Sequence, residues 1–291
     1  MSLKSVIHSF FLGFSLLATF SAKNCSIAQG NQNEVLNTIL QSVPSPVEIS
    51  YLIKNVGVKY DKTLLNPTTN EVKYKTEYQK AANLGVYSTG LGYANIYEQN
   101  ADAFAYLNAI KKLADGLNIG ELINFSTISR LAVSSNNMNA LLAETSATFE
   151  RINTHLQENN KSDLAVLILV GGWLENLYLT TTIAKRTPNK ELNNRIAEQK
   201  IILEQILQVV SPYENNPYMK SLSTDLKNLY KVFNTFKISV TENKIDSGNS
   251  KENGGILSVE GEAISGDIEL SPKDLETILQ QISAIRAKII S

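Results

Sequence analysis

The chain has 291 residues, 43% of them hydrophobic, which is enough to bury a core and too many for a disordered polymer. Its 27 basic and 28 acidic side chains leave a formal charge of −1, which provides no field for gripping nucleic acid or an acidic membrane surface. Two histidines and one cysteine leave almost nothing from which to build a zinc site, a haem ligand pair or a disulfide framework.

The N-terminus reads as a secretory signal peptide over residues 1–28. Lys4 precedes an apolar run from Val6 to about Ala22, and Ser26 and Ala28 are the small residues at the −3 and −1 places of a cleavage site. Cys25 follows Lys23 and Asn24 rather than the small residue that lipid attachment requires. An uncleaved anchor is the competing reading, because the run approaches membrane-spanning length, although His8 and several serines dilute it. The expected product is residues 29–291, exported to the periplasm or the extracellular space. It is cysteine-free, and His155 is its one histidine. Its stability must then come from packing.

Helical periodicity dominates from about residue 33 to 237. Residues 33–42 read as a short helix stopped by Pro44, and Ser45-Pro46-Val47-Glu48 opens a second with a serine cap, proline at the first position and an acid reaching back. That helix ends near Gly57, and the polar stretch 59–70, with Asn66-Pro67, reads as a loop. Residues 73–99 form a third helix of unusual composition. It interleaves Tyr74, Tyr78, Tyr87, Tyr93 and Tyr97 with Ala81, Ala82, Gly85, Gly90, Gly92 and Ala94. Each glycine costs a helix interior about 1 kcal/mol relative to alanine, so the cluster asks for a reason. Close helix packing is one, a tyrosine-lined pocket that includes Tyr87, Gly90 and Tyr93 is a second, and a break near Gly90 is a third. The Gly90–Gly92 spacing is not a nucleotide fingerprint, because no strand precedes it and no third glycine follows at the required offset.

Residues 102–114 make an amphipathic helix with an acidic start and Gly116 beyond its end. A weaker helical segment covers 119–133 and a clearer one 138–157, followed by a turn at Asn159 to Lys161 and Ser162 as the next cap. In residues 164–183 (LAVLILVGGWLENLYLTTTI) apolar side chains surround the helix instead of lining one face, the pattern of a central buried helix. A membrane span is disfavoured by Glu175 and Asn176 inside the run. Glu175 must therefore sit at a surface edge, find a partner, or have its pKa raised by desolvation. With Trp173 and Tyr178 it completes the set of candidate ligand-binding residues.

Thr187-Pro188 restarts the chain as a helix to about Val210, and residues 218–236 form the last long helix of the bundle. Residues 241–255 are polar and read as a linker. Stretches 256–259 and 263–270 around Gly261 have strand-like alternation and suit a small hairpin. Ser271-Pro272-Lys273-Asp274 then opens a final helix to Ile290, apolar along Leu275, Ile278, Leu279, Ile282 and Ile285.

No nucleophile elbow, phosphate loop, EF-hand or HExxH motif is present, so no catalytic residue, metal ligand or cofactor is implied. His155, near a helix C-terminus, is adequately explained by the helix dipole. Two segments, Tyr78-Gln79-Lys80-Ala81-Ala82-Asn83-Leu84-Gly85-Val86-Tyr87 and Gly171-Gly172-Trp173-Leu174-Glu175-Asn176-Leu177-Tyr178, resemble uncharacterised exported helical proteins of Bacteroidetes-type Gram-negative bacteria. The likeness covers most of the mature chain. It implies an envelope location and a helical fold, and brings no activity.

The expectation is a mainly α-helical, antiparallel multi-helix bundle over residues 29–240, with a hairpin-plus-helix appendage at 256–291 docked onto it. The expected function is non-catalytic binding, in the cell envelope, of a protein partner or of a small apolar or aromatic ligand between helices, with no membrane span after signal cleavage. The alternatives are a carboxylate-dependent hydrolase using Glu175 and a structural or assembly component of the envelope.

Overall fold

The computed structural model describes residues 36, 39, 46–132, 138–236 and 270–291. The expected signal peptide, the polar linker and the hairpin lie outside these residues, except for Leu270, which is buried and not in a strand. Among the described residues the protein is a bundle of α-helices without strands. We number the helices α1 (Pro46–Asn55), α2 (Glu77–Ile96), α3 (Asn100–Asp115), α4 (Phe125–Ala132), α5 (Met138–Glu158), α6 (Ser162–Arg186), α7 (Lys190–Val210), α8 (Pro217–Phe233) and α9 (Pro272–Ile290). Leu36 and Ile39, within the expected first helix, are helical and buried.

The caps explain most boundaries. α2 begins at Glu77, later than the periodicity indicates, because Thr76 accepts from the Gln79 backbone N–H while the Gln79 side chain reaches back to it. Ser271 and Asp274 form the same reciprocal pair at the start of α9, as the sequence indicates. The helix expected from Thr187-Pro188 starts at Lys190, because Asn189 supplies the capping oxygen, 3.0 Å from the Leu192 nitrogen. Ser162, expected as a cap, is already inside α6. The weak segment 119–133 divides into a 3₁₀ turn, Gly120–Leu122, and α4, whose first turn is held by the Asn124 side chain on Thr127. The expected loop at 59–70 carries two 3₁₀ segments, Lys62–Leu64 and Thr68–Lys73, the first capped by Asp61.

α6 is the axis of the bundle. It packs on α1, α2, α5, α7 and α9, most extensively on α2. Among the described helices α6 alone is long and apolar enough to cross a membrane, and 89% of its most apolar stretch is buried among its neighbours.

Two glycine clusters meet at the α2–α6 crossing. A Cβ on Gly85 would lie 2.0 Å from the Ile168 carbonyl oxygen, and one on Gly171 would lie 2.0 Å from that of Ala82. Backbone therefore touches backbone here, and close packing accounts for these two residues. Gly90 has a different neighbour: it makes room for the Tyr106 ring of α3, and α2 continues through it without a break.

Candidate functional site

The six residues expected to bind a ligand fall on two sides of the α2–α6 pair. Glu175 is completely buried. It accepts a forked pair of hydrogen bonds from Arg286 of α9, Nε to Oε2 at 2.5 Å and Nη2 to Oε1 at 2.8 Å. Tyr178 lies beneath the guanidinium, whose carbon is 4.2 Å from the ring centroid. Arg286 also donates to the Leu64 carbonyl. Burial pushes the Glu175 carboxyl above its ordinary value, and the Arg286 guanidinium pulls against that rise. A pair of carboxylates for hydrolysis would require a second acid and solvent access at this point. Glu175 has an arginine for its partner and no exposed surface.

The tyrosines around this centre fasten the 58–74 segment to the bundle. Tyr87 donates to the Pro67 carbonyl at 3.0 Å, Tyr106 to Asn66 at 2.9 Å and Tyr97 to Val58 at 2.6 Å. The Tyr93 hydroxyl accepts from the Asp61 backbone N–H at 3.2 Å, and its ring stacks on Tyr60 with centroids 5.1 Å apart. Asn66 joins Tyr74 and Asn83, and Asn83 donates to the Ile289 carbonyl of α9. Tyr87, Tyr93 and Glu175 thus belong to a hydrogen-bonded core that locks a loop and the final helix in place, with Tyr178 under the Arg286 guanidinium and Gly90 against the Tyr106 ring. None of the five lines the cavity described next.

Trp173 faces the other way. With residues of α2, α3, α4 and α5 it walls a cavity of about 480 Å³, within the range of small-molecule sites. Its indole N–H donates to Gln199 of α7 at 2.9 Å, so its polar atom is satisfied and its ring is left as wall. Gly85, Ser88 and Gly92 of α2 and Gly172 and Asn176 of α6 line the cavity beside the close crossing of the two helices. α5 covers this space with Leu141, Thr145, Thr148, Phe149 and Ile152. The hydroxyls of Ser88 and Thr145 are turned back onto carbonyls of their own helices, so these residues present mostly carbon to the interior. Among the described residues of the lining there is no lysine, arginine or histidine, and the one ionisable side chain, Glu150, belongs to an exposed residue.

Arg286 and the α5 wall had weak signals in the sequence. Arg286 follows Ile285 and lies one turn beyond Ile282, on the apolar edge of its helix, where a cation needs a buried partner. Leu141, Phe149 and Ile152 were visible only as an ordinary apolar face. His155, half-buried in the last turn of α5, is bonded through its carbonyl to the Asn159 side chain. No family model, curated protein or solved structure matches the chain.

Proposed function

We propose that this protein is an exported, non-catalytic helical binding protein of the cell envelope that holds a small apolar or aromatic ligand between α2, α5 and α6. The observation that carries the reading is the cavity of about 480 Å³ walled by leucine, isoleucine, phenylalanine and the Trp173 ring. An apolar guest here would remove the lining's apolar surface from water and add dispersion contacts along it. The export part rests on the signal-like N-terminus, and N-terminal sequencing of protein from the host envelope fraction should begin at Gln29.

Trp173 is the only tryptophan in the chain, so its fluorescence reports directly on this wall. Bromobenzene, a soluble aromatic heavy-atom quencher, should saturably quench Trp173 and raise the melting temperature. Ser88→Phe, which projects a ring into the space, should remove both effects while the protein still melts cooperatively. Linear, non-saturating quenching identical in the variant would refute the cavity as a binding site.

A further inference from the structure

The volume of the cavity and the charge of its wall together narrow the ligand. An apolar cavity of about 150 Å³ holds one benzene ring. The space between α2, α5 and α6 is about 480 Å³, so on the same scale it has room for roughly 15–20 non-hydrogen atoms. A single ring leaves most of it unfilled and forgoes the contacts that the rest of the wall offers. Two fused rings with a short chain, or one long chain, would fill it.

Seating a carboxylate or phosphate away from water takes a cation or the bare N–H groups of a helix N-terminus. The described lining residues include no lysine, arginine or histidine, and their one ionisable side chain is the acid Glu150. Arg130 of α4 and Arg151 and His155 of α5 are outside the lining, and Arg151 is bonded to Glu144, Thr148 and the Leu122 carbonyl. Two helix starts adjoin the wall. An acid, Glu48, occupies the first turn of α1 next to the lining residue Val47, and Asn124 already caps the Thr127 N–H of α4, between the lining residues Ile123 and Ile128. The adjoining sequence supplies no cation either: residues 29–45, which precede α1, and 133–137, which join α4 to α5, contain no lysine, arginine or histidine. A carboxylate held at the mouth would keep its water, but would find the exposed acid Glu150 there in place of a partner.

Resting on the binding function proposed above, we infer that the cavity takes one uncharged molecule of roughly 15–20 non-hydrogen atoms, such as a two-ring aromatic or a long-chain alcohol, ester or amide. It discriminates against anionic amphiphiles of the same shape, free fatty acids included.

Three probes test both halves of this on the full chain by calorimetry at pH 8. They are 4-(1-naphthyl)butanamide, its isostere 4-(1-naphthyl)butanoate, which is ionised at this pH, and the one-ring 4-phenylbutanamide. The naphthyl amide should bind once per chain, compete with bromobenzene, and bind at least tenfold tighter than either of the others. The phenyl amide binding as tightly as the naphthyl amide would overturn the size inference and leave a single-ring site. The naphthyl carboxylate binding as tightly as its amide would overturn the exclusion of anions. If none of the three gave heat while bromobenzene still quenched Trp173 saturably, this inference would fall alone. Loss of both signals would bring down the binding function on which it rests. Every comparison uses the native chain, so none depends on a variant that might not fold.

Discussion

Replacing Gly171 with alanine adds one methyl group at the point where α6 touches α2. That carbon would sit 2.0 Å from the Ala82 carbonyl oxygen and 2.9 Å from its carbonyl carbon. A carbon and an oxygen approach comfortably to about 3.3 Å, so the helices must part by roughly 1 Å. Neither atom is the end of a flexible side chain, so the relief has to come from moving backbone. A gap of 0.5–1 Å already forfeits about a quarter to a half of each dispersion contact, and such contacts are worth about 0.1–0.2 kcal/mol each. With some tens of atom pairs around the crossing, the loss is about 2 kcal/mol, to which forced repacking adds about 1–3 kcal/mol. Alanine's better helix propensity returns about 1 kcal/mol. The expected net destabilisation of G171A is therefore about 2–4 kcal/mol, a drop of about 1 M in the urea midpoint for a slope of about 3 kcal/mol/M. Gly172 is the internal control. A Cβ there meets the Gly85 carbonyl oxygen at 3.4 Å, an ordinary contact, so G172A should be neutral or slightly stabilising. Urea unfolding followed by helical circular dichroism distinguishes the two. A midpoint for G171A at or above that of the native chain, or equal losses in both variants, would show that the crossing is not held by backbone contact.

Two further outcomes follow from the polar core. Arg286→Met strands the Glu175 carboxylate in the bundle and should cost about 3–5 kcal/mol, whereas the double replacement E175M/R286M should recover most of the loss, as measured by urea midpoints. A cost near that of an exposed ion pair, under about 1 kcal/mol, would mean that the centre admits water. The tyrosines give a pH dependence of definite sign. Burial raises Tyr74, Tyr87, Tyr93 and Tyr106 above the ordinary value of 10.0, so the folded chain holds protons that the unfolded chain releases. Their contribution is complete below about pH 10 and is lost as pH rises, at about 1.4 kcal/mol per pH unit for each ring. Against a total stability of about 5–15 kcal/mol, these rings alone should unfold the chain within a few units above pH 10. Tyrosinate absorbance should therefore appear cooperatively with loss of helical signal, and partly buried Tyr78 and Tyr218, pushed up to about 12 chiefly by burial, should join that transition. Smooth titration of these rings near pH 10 with the helices intact would refute their anchoring role.

The long helices were legible because their signals are local. α6 declares itself by having apolar residues on every side, and α9 by the run Ser271-Pro272-Lys273-Asp274. The segments that were misread are those where a side-chain oxygen outcompetes propensity: Asn124 divides 119–133, and Asn189 rather than Thr187-Pro188 starts α7. The candidate site was legible only in part, because it depends on distant pairings. Glu175 announced its need for a partner, but Arg286 lies 111 residues further on, and nothing in α6 alone names it. The tyrosines of α2 read equally well as pocket lining or as packing until their hydroxyls could be traced to Val58, Asp61 and Pro67. A cavity has still less of a local signature, since its wall is assembled from residues of several helices far apart in the chain.

The two sides of α6 differ in how their space is filled, and that difference bears on binding. Toward α9 and the 58–74 segment, forked ion pairing, backbone carbonyls and stacked rings fix each group by several bonds, so displacement of one breaks others. Toward α5 the contacts are apolar and fewer, and the hydroxyls on that wall bond within their own helix rather than across to α6. Dispersion contacts re-form after a small shift in a way that directional hydrogen bonds do not. A guest bound as proposed between α2, α5 and α6 would displace mainly apolar contacts on the α5 side, while Trp173 is held on α6 by its bond to Gln199. On the binding role proposed above, ligand size would be accommodated by α5 against the fixed Trp173 ring. Substitutions on α5 such as Phe149→Leu should then change which sizes of aromatic probe quench Trp173 saturably, and leave the helical circular dichroism intact.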